Sequence, residues 1–185
     1  IFDSVVLATG GVGFYRKALV DLDADALGSD TMKTVFDRMA ILRSYVDDNF
    51  SGRDWNLASA MVIEKKAGMQ IMGDWAKGEF TAAGKVPGKD YICAPAPGTD
   101  GQFTFNIDSF AFFELGDKEN QKAQQDLAKT ILTKDFQEVF NLNKGSIPVR
   151  LDMDMSKFDQ CALDSMATFK ASAESGDLVP SMAHG

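Results

Sequence analysis

At 185 residues the chain is long enough to bury one substantial core. Hydrophobic residues make up 45% and charged residues 25%, the composition of an ordinary globular protein. A formal net charge of −8 without any Lys/Arg cluster argues against a nucleic-acid partner or an anionic membrane surface. No apolar run approaches the roughly 20 residues that cross a bilayer, so membrane insertion is not expected.

Residues 5–8 read as a short strand running into the glycine-rich turn at Gly10, Gly11 and Gly13. A dinucleotide-binding turn would place its third glycine at Arg16, so these glycines are better read as a turn or hinge crossover. Residues 30–49 carry Met32, Val35, Phe36, Met39, Leu42 and Val46 three and four apart, one apolar helical stripe capped by Ser29 or Asp30. A shorter helix is expected over 56–66, stopped at Gly68, with Trp55 anchoring its start. A strand over 69–72 and a brief helix over 75–83 follow. Strands are expected over 91–94, ended by Pro95, and over 103–113. Helices are expected over 118–133, 135–141 and 155–175, the last closing near Gly176. Strands alternating with helices give an α/β class.

Several residues could carry chemistry. Gly73-Asp-Trp presents Asp74, a hydrogen-bonding carboxylate, beside Trp75, a flat apolar ring. A pyranose has hydroxyls at its edge and C–H bonds on its faces, so it suits such a pair; a tryptophan after a strand can equally serve a core. With a period of two, Phe103, Phe105 and Ile107 face a core, while Thr104, Asn106 and Asp108 face the other way. Residues 110–113 are apolar on both faces and are expected to be buried. A polar row at the end of a buried strand is where an α/β protein places a ligand, although a solvated face gives the same pattern. Lys144 precedes a Gly-Ser-Ile-Pro loop, and its ammonium can donate three hydrogen bonds. His184 is the only histidine, and no Cys or carboxylate cluster stands at metal-ligand spacing. Cys93 and Cys161 are either bridged or two buried thiols, and the residues alone favour neither.

Three stretches together resemble the extracellular sugar-binding proteins of bacterial ABC transporters, and among these the glucose/mannose-type binders. They are Gly-Asp-Trp-Ala-Lys-Gly-Glu, Ala-Pro-Gly-Thr-Asp-Gly-Gln-Phe-Thr-Phe-Asn-x-Asp-Ser-Phe and Asn-Lys-Gly-Ser-Ile-Pro-Val-Arg. The resemblance implies a type II periplasmic-binding-protein lobe, a mixed sheet flanked by helices. Residues 1–185 would form a single lobe, mostly the second of two, with the first lobe and the terminal helix lying outside this sequence. It implies a monomer exported to the periplasm with its signal peptide removed, an oxidising compartment and hence a Cys93–Cys161 bridge. The ligand implied is a monosaccharide and the partner a membrane ABC permease. Trp75, Asn106, Lys144 and His184 would contact the sugar, with Asp74 and Asp108 as further acceptors or as residues orienting Lys144. No cofactor, metal or catalytic residue is implied. The competing expectation is an α/β enzyme, either a nucleotide-dependent oxidoreductase or a carbohydrate hydrolase using paired carboxylates.

Overall fold

A computed structural model describes residues 1–182. The first element is a helix, α1 (Phe2–Tyr15), and not the expected strand and turn. Val5, Val6 and Leu7 are all buried, since α3 lies on one side of α1 and β2 on another, and burial on both sides hides the helical period. Each such side chain contributes about 1.5–3 kcal/mol when taken out of water. Gly11 breaks the helix at φ 71° and ψ −179°, a conformation essentially reserved for glycine, so a backbone break does fall within the glycine cluster. Because residues 5–8 are helical, they do not supply the strand that a dinucleotide-binding turn follows.

After the short helix α2 (Ala24–Leu27), Ser29 caps α3 (Asp30–Arg43) by accepting the Met32 N–H at 3.2 Å. Met32 and Val35 are buried against α1, and Phe36 packs on Phe2 with ring centroids 5.6 Å apart. The helix ends at Arg43, six residues before its expected end, because Val46 has left the stripe and Asp47 pairs with Arg53 at 2.6 Å. The next helix, α4 (Trp55–Ile63), starts at Trp55.

Residues 69–72 form no strand. Gln70 uses its side chain in place of a ladder, donating to the Trp55 carbonyl at 2.9 Å and accepting from Ser59 at 2.7 Å. A 3₁₀ turn (Asp74–Ala76) then leads into α5 (Lys77–Ala82). Residues 91–94 form only an isolated bridge from Tyr91 to Pro87.

The strands of the described residues are β1 (Phe103–Phe105) and β2 (Leu178–Pro180), paired in parallel with Thr104 opposite Val179. This small sheet stands where a mixed sheet was expected. The strand expected over 103–113 pairs only through its first three residues. Ile107, Phe110, Phe112 and Phe113 are exposed, which corrects both the expected core-facing position of Ile107 and the expected burial of 110–113. β2 has no counterpart in the sequence reading. It is held by α1: the Tyr15 hydroxyl donates to the Pro180 carbonyl at 2.8 Å, and Asp3 accepts from the Ser181 hydroxyl at 2.9 Å.

Asp117 caps α6 (Lys118–Ile131), and Thr133 caps α7 (Lys134–Lys144). The final helix, α8 (Gln160–Ser175), begins at its cap Asp159, later than the expected 155, and ends at left-handed Gly176. Cys93 is bonded to Cys161 near the start of α8, with Cα atoms 5.6 Å apart. No helix among the described residues is long and apolar enough to cross a membrane.

Candidate functional site

Asp74 and Trp75 stand just before α5 and Lys144 at the end of α7, and these two helices pack against each other. Two glycines permit that packing. A Cβ on Gly145 would lie 2.7 Å from the Gly78 nitrogen, and one on Gly78 would lie 3.0 Å from the Lys144 carbonyl oxygen. Gly145 also ends α7 in the left-handed conformation at φ 85°, which turns the following loop back over the helix. Buried Gln137 holds that loop: its Oε1 accepts the Val149 N–H at 3.1 Å, while its Nε2 donates to the Ile131 carbonyl at 2.9 Å.

The loop in turn comes close to Asp74, where the backbone N–H groups of Ile147 and Trp75 favour the charged carboxylate. Burial pushes the Asp74 carboxyl above its ordinary range, against the opposing pull of Lys77, those two N–H groups and Lys144. The Trp75 ring folds back across Gly73, where any Cβ would sit 2.1 Å from the indole Cζ3. Glycine before the Asp-Trp pair is therefore what lets the ring lie there.

Lys144, the last residue of α7, forms an ion pair with Asp108, and Asn106 donates to Asp108 at 3.2 Å. The Lys144 ammonium also stands 5.8 Å from the centroid of the Phe140 ring. The Asp108 side chain is 64% exposed and that of Lys144 30%, so the ion pair lies at the surface. The structure thus brings Asp74, Lys144, Asp108 and Asn106 into one linked set drawn from three separate segments. A shallow groove of about 510 Å³ beside Lys144 is lined by Phe136, Val139, Phe140 and Asn143, and includes neither Trp75 nor Asn106. His184 lies outside the described residues. No group of three His, Cys, Asp or Glu side chains suited to a metal ion occurs among the described residues.

Sequence reasoning missed the residues that hold this set in place. Gln137 looks like any polar residue on an amphipathic helix. Lys77 lies within the quoted Gly-Asp-Trp-Ala-Lys-Gly-Glu motif, yet nothing local marks it as buried at 6% exposure. Asp159 does carry a local signal, since an Asp just before a helix is a favoured cap.

No family model matches the chain. Over all 185 residues it is 57% identical to a probable sugar-binding periplasmic protein of Brucella suis and 55% identical to one of Rhizobium meliloti, covering 44% of each relative. An uncharacterized ABC transporter extracellular-binding protein of Pyrococcus horikoshii is 31% identical, with 40% of its length covered. The whole chain is therefore similar to a portion of these proteins, and it spans about 44% of the length of the first two.

Proposed function

We propose that the chain is part of a periplasmic solute-binding protein that takes up a monosaccharide, glucose or a related hexose, in a cleft between two lobes and delivers it to an ABC permease. The observation that carries this reading is the linkage of Lys144 to Asp108 and Asn106, with Asp74 beside the same loop, so that three segments offer hydroxyl-binding groups together. In the proposed complex Trp75 covers one face of the sugar. Asn106 and Lys144 donate to hydroxyls, Asp74 and Asp108 accept or orient Lys144, and His184 reaches a further hydroxyl. Polar groups placed in this way reject sugars that lack the matching hydroxyl, because their own hydrogen bonds would then go unmade. Names of the similar proteins support sugar and ABC transport; the choice of a hexose rests on the motifs alone.

Binding of this kind needs no general base, metal or cofactor. The sugar closes the two lobes because it binds the closed state better than the open one, and the closed monomer then docks on the permease. The type II fold, the second-lobe position of residues 1–185 and export after signal removal belong to the same proposal.

The test is a titration of glucose, galactose, mannose and maltose into the full-length protein, followed by tryptophan fluorescence. A saturable change with one monosaccharide and no product formed is the expected result. Turnover of an aryl glycoside, or binding of NAD in place of sugar, would contradict it.

A further inference from the structure

Lys77 is the one buried lysine among the described residues, and its ammonium is held by both oxygens of Asp159, at 2.7 and 2.9 Å. A buried charge left without a partner costs several kcal/mol, so this pair locks two segments that lie 82 residues apart. Asp159 has a second role. Its Oδ1 accepts the Ala162 N–H at 2.8 Å and so caps α8, whose second residue, Cys161, is bonded to Cys93. Tyr91, two residues before Cys93, packs on Phe80 of α5 with ring centroids 4.4 Å apart. Burial first, and then the Asp159 charge, raise the Tyr91 hydroxyl to about 12. One carboxylate thus organises the start of α8, the bridge and the start of α5.

Lys77 lies three residues after Asp74 and two after Trp75, and its Cβ borders the Gly145 crossing, where an added methyl would stand 3.0 Å away. Apolar residues would fill this volume at least as favourably as an ion pair. What the pair adds is a tie, because it holds the start of α5 to the carboxylate that caps α8. We propose that Lys77 and Asp159 are positioning residues for the sugar site: without touching the sugar, the ion pair of buried Lys77 with half-buried Asp159 sets how the Asp74–Trp75 turn is presented to it. This rests on the sugar-binding reading above.

The experiment uses full-length protein. Lys77→Met keeps the length of the stem and removes the charge. Asp159→Asn keeps the capping acceptor of α8 and removes only the carboxylate charge. Val35→Ala, in the α1–α3 core, is the control for lost stability without a change at the node. Three quantities are read: affinity for the monosaccharide the wild type binds best, the midpoint of thermal unfolding, and the ¹⁹F spectrum of 5-fluorotryptophan protein with Trp75 assigned by Trp75→Phe. Lys77→Met and Asp159→Asn are each expected to weaken sugar binding about tenfold or more, a loss of roughly 1.4 kcal/mol. They move the Trp75 resonance and leave that of Trp55 in place, and Lys77→Arg recovers most of the affinity.

Unchanged affinity with an unmoved Trp75 resonance overturns the inference, as does an equal loss of affinity in Val35→Ala. If Lys77→Met does not fold, Asp159→Asn decides. If the wild type binds no monosaccharide, the sugar reading fails by itself, and the Trp75 resonance still tests positioning. Movement in Asp159→Asn but not in Val35→Ala supports it, and no movement overturns it.

Discussion

Gly145 and Gly176 end α7 and α8 in nearly the same backbone conformation, at φ 85° and φ 84°, yet only one of them is crowded. Replacing Gly176 with Ala incurs the left-handed penalty alone, about 1–2 kcal/mol, because nothing lies within 4 Å of the added methyl. Gly145→Ala carries the same penalty, and its methyl also meets the Gly78 nitrogen at 2.7 Å and the Lys77 Cβ at 3.0 Å. The obstacle is mostly backbone and cannot swing aside, so overpacking adds about 1–3 kcal/mol. Gly145→Ala is therefore expected to lose about 2–5 kcal/mol in total. Urea unfolding of the two variants of the full-length protein measures the difference directly, with an unchanged m-value showing that both still unfold as the wild type does. Equal losses in the two variants would refute the close crossing of α5 and α7 on which the site geometry depends.

Other consequences follow from individual side chains. Lys144→Ala removes an ion pair to a largely exposed Asp108, so unfolding is expected to change by less than about 1 kcal/mol, while hexose affinity measured by calorimetry falls at least about tenfold. A large loss of stability with intact affinity would make Lys144 structural. Tyr91→Phe deletes a buried hydroxyl that makes no hydrogen bond among the described residues, so the thermal midpoint is expected to stay level or rise; a fall would show that the hydroxyl is satisfied. Asp74 has a folded-state acidity below that of the unfolded chain, since burial raises its pKa. Its contribution favours folding below the ordinary carboxylate range and is lost as pH rises from there through the raised folded value. Asp74→Asn is expected to flatten the stability profile in that window; an unaltered profile would place the carboxylate in a solvated position.

Helices were legible where a local signal started or stopped them. Ser29 caps α3 and Gly176 closes α8 as expected from their positions, whereas Thr133, expected inside the helix over 118–133, instead caps α7. Strands were not, because a strand is defined by its partner. Residues 69–72 have strand-like composition but satisfy their surroundings through Gln70, and residues 106–113 run past the end of the one ladder available to β1. The apolar run at 5–8 shows the converse ambiguity, since a helix buried on two sides looks like a buried strand. Asn106 and Asp108 shared a face by alternation, which the structure expresses as their mutual hydrogen bond. The pairing of Lys77 with Asp159 had no local signature, because it depends on how α5 and α8 are placed relative to each other.

Hydrogen–deuterium exchange of the full-length protein, with and without saturating hexose, tests most directly whether these segments form one ligand surface. Concerted protection is expected in peptides covering 73–77, 106–108 and 144–148, with little change in α3. Protection of one of these segments without the others, or protection elsewhere in the protein alone, would contradict a shared site.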